Sequence, residues 1–374
     1  MVCPFYSDIP ALAFWQRNST KNCGYFSLPA LDKRPLPCYN EPKSRRKNAG
    51  IGKGEHRMIQ KYTDGIKTQK TPRIERLKKK GTIKISAVEA TPVVWKDRLL
   101  RFEWLRSSAW DTVHKQREVG SYQFFDMETE EPVGAEFAFD HAFGCCYAED
   151  GVMYAHGVRG SDGATNVIDV FWSRDLTTWE SHTALVLPDD LKVFNTSVSP
   201  GADGQYVMAI EISGPKESVG PGYKCIFALS KDLLSWELLP IDPYIYRKEC
   251  YSACPAIRYF DGYYYMVYLD VMPYKRYVPY IVRSADLAAW EIAIRNPFMF
   301  FDDGDKQLIC PERFSESEKQ YIENAVDCNN SDVDFCEFHG KTYILYSWGN
   351  QHGQEFLALA TYDGTLKEFL TSYF

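Results

Sequence analysis

The 374-residue sequence contains no run approaching 18 consecutive apolar residues, so it offers no helical membrane span and no membrane partner is expected. Its first twenty residues, MVCPFYSDIPALAFWQRNST, lack a basic leader and a clean apolar core, so no secretory signal is expected and a cytoplasmic location is favoured. Cysteine is present eleven times, an odd number at irregular spacing. The adjacent pair Cys145 and Cys146, and the near pair Cys250 and Cys254, fit neither a disulfide framework nor a paired CxxC zinc site. They read as buried thiols in a reducing compartment. The acidic DDGD at 302–305 lacks the spacing of a calcium-binding EF-hand loop.

What is present divides the sequence in two. Residues 1–80 hold 18 Lys and Arg against 6 Asp and Glu, whereas residues 81–374 hold 25 against 44. The basic part is rich in Pro and Gly and has no sustained period, which predicts a largely irregular N-terminal extension. It carries no recognisable nucleic-acid-reading motif, so no nucleic-acid partner is expected. An arm of this charge suits the acidic body of its own or a neighbouring subunit, giving a possible homodimer through the arm.

From residue 81 the texture becomes short aromatic and β-branched runs separated by turns. Hairpins are predicted within 91–104, 146–157, 199–211, 256–270 and 336–349, with Lys96-Asp97 at the first turn and Gly151, Gly204, Gly262 and Gly340 at the others. Three phrases repeat after them: SRDLTTWE at 173–180, SKDLLSWE at 230–237 and SADLAAWE at 284–291. In each, the Asp can bond nearby amides to close a turn, the Leu can point inward and the Trp can pack on a neighbouring unit. Worn copies stand at 124–132 and 360–369. Five units of four strands at this period predict an all-β protein, a five-bladed β-propeller over 81–374 preceded by the extension 1–80.

The repeated Ser-x-Asp-Leu-x-x-Trp phrase and the hairpin CPAIRYFDGYYYMVYL at 254–269 resemble those of five-bladed propeller glycoside hydrolases: the arabinanase, invertase and levansucrase group, glycoside hydrolase family 43, and relatives such as family 117. The family 43 signature, an Asp-Pro opening blade one, is replaced here by Glu89-Ala-Thr-Pro92. The resemblance covers the body and implies glycosidase activity on an oligosaccharide. It does not transfer catalytic residues by motif.

Geometry places those residues instead. In a propeller, residues that open a blade's first strand and close its second share one rim around the axis. Closing second strands are Glu103, Gly157, Glu211, Asp270 and Trp348; opening first strands are Glu89, Asp140-His141, Asn195, Glu249 and Asp332. A ring of acids suits glycoside hydrolysis, which needs one carboxylic acid to protonate the leaving oxygen and one carboxylate to activate water or attack. Glu211, after the apolar run YVMAI, is the expected acid, Asp332 the base and Asp270 the modulator, with Asp140 and Glu103 as substitutes. His141, Asn195, Tyr251, Arg276, Asn330, Trp348 and His352 are the expected substrate contacts. No cofactor is expected, apart from the structural divalent metal or water that a channel histidine can hold in related propellers. A helix is expected within RFSESEKQYIENA (313–325), part of an insertion that would wall one side of the pocket and suits an exo-acting enzyme on a plant or algal oligosaccharide. The alternatives are a glycoside phosphorylase, drawing on Arg258, Lys275 and Arg276 for phosphate, and a non-catalytic carbohydrate-binding propeller.

Overall fold

The computed structural model describes residues 76–107, 117–161, 165–272 and 275–374. The expectations for the basic arm, and for a dimer formed through it, lie outside these residues apart from its last few positions.

Short, largely buried apolar runs closed by tight turns produce, among the described residues, twenty strands in five antiparallel four-stranded sheets. Blade one is β2 (Thr91–Trp95), β3 (Arg98–Leu105), β4 (Ser121–Asp126) and β5 (Pro132–Phe137). Blade two is β6 (His141–Glu149), β7 (Val152–Arg159), β8 (Val167–Ser173) and β9 (Glu180–Val186). Blade three is β10 (Lys192–Pro200), β11 (Tyr206–Ser213), β12 (Lys224–Ser230) and β13 (Trp236–Leu238). Blade four is β14 (Ala253–Phe260), β15 (Tyr263–Met272), β16 (Arg276–Ser284) and β17 (Trp290–Ile292). Blade five is β18 (Asn330–Phe338), β19 (Lys341–Gly349), β20 (Glu355–Tyr362) and, from near the start of the sequence, β1 (Leu77–Ile85). The molecule is the five-bladed propeller that the repeats predict.

Four of the five first hairpins turn on two residues with positive φ, namely Lys96-Asp97, Asp150-Gly151, Asp261-Gly262 and His339-Gly340. This is the type I′ geometry whose twist matches the strands. The hairpin between β10 and β11 has a longer turn, Ala202–Gly204.

The repeated phrase fastens one blade to the one before it. Ser173 Oγ accepts from the amides of Asp175 and Leu176, and Asp175 Oδ1 accepts from those of Thr177 and Thr178 at 2.8 and 2.7 Å. This network holds Leu176 at φ +62° with its side chain fully buried. Its carbonyl, turned outward, accepts from Ala135 N of blade one at 2.8 Å, and Trp179 stacks 3.7 Å from Phe137 of the same blade. Asp232 and Asp286 close their turns likewise, with Leu233 and Leu287 at φ +65° and +64°. Trp236 then packs on His156 of blade two and Trp290 on Phe227 of blade three. Each Trp thus buries aromatic area between blades, worth about 0.5–1.5 kcal/mol per ring pair beyond burial itself.

The worn copies differ for a physical reason. Asp126 still caps Glu128 N and Thr129 N. After Asp363 the backbone enters a helix, Leu366–Thr371, through a Thr365 capping box. The last blade needs no fourth strand there, because β1 lies antiparallel to β20 from Leu77 opposite Tyr362 to Ile85 opposite Phe356. This strand runs across residue 80, where the sequence reading ends the extension. Lys79 locks it: its side chain is only 13% exposed, and its ammonium meets the fully buried Asp305 carboxylate at 2.7 Å. Asp305 also accepts from Tyr346 Oη at 2.6 Å, and Thr82 Oγ1 donates to the Asp305 carbonyl. The insertion therefore staples the closing strand to blade five. Its helix, Glu316–Glu323, starts at the Ser315 capping box.

Candidate active site

The first strands of blades two to five each break register near their start, between Ala142 and Cys145, Val193 and Thr196, Ala253 and Ala256, and Ser331 and Asp334. A bulge inserts an unpaired residue and re-aims its side chain. Repeated four times, it points Asn195, Cys254 and Asp332 into one cavity, with Gly144 supplying the place from blade two. Glu89, two residues before the start of β2, supplies the fifth. Glu89, Cys254 and Asp332 adopt φ +55°, +48° and +49°, a conformation that costs non-glycine residues about 1–3 kcal/mol each and clusters at functional sites. Gly144 is required as glycine: a Cβ there would lie 2.6 Å from the His156 carbonyl. The cavity is lined by these residues with Ala90, Thr91, Thr196, Pro255, Val333 and Asp334.

Glu211, on the second strand of blade three, reaches the same place. Its Oε2 accepts from Asn195 Nδ2 and from Cys254 N, both at 2.9 Å. Burial pushes its carboxyl up to about 7, and the Asp332 charge adds to this, while the two N–H donors work against it. Asp332 is raised by burial and by the Glu355 charge, against donation from Cys254 and from Ser331 Oγ at 2.8 Å. Glu89 is raised well above the usual carboxylate range by burial, then by Asp332; nearby Arg106 opposes this. Its Oε2 is buried with no hydrogen-bond partner. Arg106 pairs with Glu355 at 2.7 Å. Two carboxyls, Glu89 and Asp332, thus line one cavity, a third, Glu211, is bonded to two of its lining residues, and all three are raised above the ordinary carboxylate range.

Of the residues singled out from sequence, the structure brings Glu211, Asp332 and Asn195 together. Tyr251 stands beside them, close to Cys254 and Glu211, with its ring against Tyr223 and Tyr277. The others stand elsewhere. Asp270 is ion-paired with Arg247 at 2.5 Å. Glu103 lies between Arg101 and Lys84, at 2.6 and 2.7 Å, in a buried ion-pair network that holds its carboxyl low. Asp140 is exposed and caps Ser161, whose donors depress it. His141 bonds Asp169 at 2.9 Å and lies 3.2 Å from the Phe139 carbonyl. Among the described residues no cluster of three or more His, Cys, Asp or Glu could hold a metal ion.

Trp348, expected at the rim, is instead fully buried, donating from Nε1 to Thr82 and stacked on Phe356, so neither face is open to a sugar. Asn330 is likewise buried, tied to Lys79 and Asp305 in the closing staple. Arg276 lies over the Phe301 ring at 5.9 Å. His352 is exposed in the loop between β19 and β20, its amide held by Asn350. Arg258, considered for a phosphate, is engaged by Asp334 at 2.7 Å and by the Phe335 carbonyl.

Two cavity residues escape the sequence reading. Glu89 is one of its strand-opening positions but carries no role there; in blade four Glu249, which is exposed, takes the place that belongs to Cys254. Counting back from the hairpin turns finds both. Glu89, Cys254 and Asp332 each stand eight residues before the second turn residue, Asp97, Gly262 and Gly340 respectively.

No protein-family model matches the sequence, and no curated protein matches it. Solved structures do. One, described as a complex of BT0996 with RGII, superposes with a TM-score of 0.54 at 16% identity, over 82% of this protein and 94% of that one. A second, described as "Glycoside hydrolase", gives 0.53 at 15% identity, over 83% and 96%. The protein is a five-bladed β-propeller structurally similar to glycoside hydrolases.

Proposed function

We propose that this protein is a glycoside hydrolase that removes a terminal sugar from a plant or algal oligosaccharide, with Glu211 as general acid and Asp332 as general base or nucleophile. The observation that carries this is that the buried Glu211 carboxyl is bonded to Asn195 and Cys254, which line the same axial cavity as Asp332. A glycosidic bond breaks when one carboxylic acid protonates the leaving oxygen while a carboxylate acts at the anomeric carbon, directly or through water. With its carboxyl at about 7, Glu211 keeps a proton to give at neutral pH. Ser331 donates to Asp332 and favours its anion. Glu89, facing both, takes the modulating part expected of Asp270: its state sets how readily its neighbours ionise.

The complex that the structural neighbour forms with RGII supports a carbohydrate ligand. The reading is tested by incubating the full-length protein with a panel of aryl glycosides and plant and algal oligosaccharides, with and without phosphate. Release of a free monosaccharide independent of phosphate supports it. Phosphate-dependent release of a sugar phosphate, or sugar binding without turnover, would replace it.

A further inference from the structure

At the bulge of blade four, where blades three and five present Asn195 and Asp332, the backbone presents a thiol. Cys254 is partly exposed to the cavity. Its N–H donates to Glu211 Oε2 at 2.9 Å, and its Sγ accepts from Asn195 Nδ2 at 3.7 Å. The side chain lines the same cavity as Asp332, and the two interact electrostatically. One residue therefore bonds the acid and the amide, and shares the cavity with the base.

The groups facing this thiol decide what it does. Glu211 comes from β11, Asp332 from β18 and Glu89 from the segment before β2. Tyr251 comes from the loop before β14. Around the carboxyls stand Glu355 of β20 and Arg106 beyond β3. Burial and three acidic neighbours keep the thiol protonated, so it is an S–H donor and a poor nucleophile. Glu211 Oε2 already takes two N–H bonds, whereas Asp332 Oδ2 takes one hydroxyl, Ser331 Oγ.

We propose that Cys254 is a positioning residue whose S–H donates to the Asp332 carboxylate, holding Asp332 ionised while Glu211 keeps the proton. The thiol thereby separates the roles of two carboxyls that would otherwise compete for one charge. Its catalytic meaning rests on the hydrolytic reading; the hydrogen bond does not.

Two measurements on the full-length protein test it. The first is peptide-resolved alkylation of Cys254 by iodoacetamide, in which the thiolate displaces iodide, between pH 7 and 10. Asp332→Asn removes the facing anion, so the Cys254 rate at pH 8.5 should rise tenfold or more, while buried Cys145 and Cys225 stay unreacted and report an intact fold. An unchanged Cys254 rate with those two protected overturns the proposal; if Asp332→Asn exposes them, Asp332→Ser is read in its place. The second is the pH profile of kcat/KM on whichever glycoside is turned over. Cys254→Ala should move the acid limb to higher pH and Cys254→Ser should restore it; an unmoved limb in Cys254→Ala overturns the proposal. Faster alkylation in Asp332→Asn with no glycoside turned over would keep the thiol placement and reject the hydrolytic reading.

Discussion

Replacing Glu211 by Gln should make the protein more stable at alkaline pH, the reverse of what losing a paired charge does. Its carboxyl stands at about 7 in the folded protein against an ordinary 4.5, chiefly through burial. The folded state therefore binds more protons than the unfolded one between these two values, and stability falls as pH rises through that window. Below about 4.5 both states are protonated and nothing is lost; above about 7 the full cost is present. At roughly 1.4 kcal/mol per tenfold change, ionising Glu211 costs the fold about 3 kcal/mol. Gln keeps the shape and an oxygen for Asn195 and Cys254 N, but cannot ionise. Thermal unfolding followed by circular dichroism at pH 5 and pH 8 reads the difference. Wild type should lose about 6 °C more than Glu211→Gln between the two, at roughly 2 °C per kcal/mol for a protein of this size. Parallel melting curves would refute the claim that Glu211 is buried as a largely neutral acid.

The same site sets the activity predictions. On a glycoside that the protein turns over, Asp332→Asn should lower kcat about 100-fold or more, and Glu89→Gln should lower it less while shifting the pH optimum, both read from initial rates. Because the acid must hold its proton, wild-type kcat should fall as pH rises through about 7, as a pH–rate series would show. Away from the site, Lys79→Met leaves the Asp305 carboxylate buried without its cation and should cost about 3 kcal/mol or more in urea unfolding, loosening the closing strand.

The architecture was legible because its signals are local. A turn such as Asp261-Gly262 needs two adjacent residues, and Ser-x-Asp-Leu-x-x-Trp closes its own network within seven. The closing strand was not legible. Leu77–Ile85 pairs with residues more than 270 positions away, and its LKKKGTIKI texture is that of a charged edge rather than a buried run. At the candidate site, the apolar run YVMAI points to a desolvated carboxyl at Glu211, and the structure buries it. Asp270 follows an equally apolar strand, yet Arg247, from a distant loop, claims its charge. Trp348 shows the same limit: an aromatic closing a strand can face a cavity or a core, and only the packing of Thr82 and Phe356 decides. Cys254 was hidden by its type, since buried thiols are common and the bulge that aims this one depends on register with β15.

If the buried Glu211 carboxyl delivers a proton to a leaving glycosidic oxygen, as proposed, its loss must matter only where the leaving group needs that proton. Rates of wild type and Glu211→Gln should be compared on a natural linkage and on an aryl glycoside whose phenol leaves without protonation. A loss of more than 100-fold is expected on the former and of less than tenfold on the latter. An equal loss on both substrates would contradict the proposal.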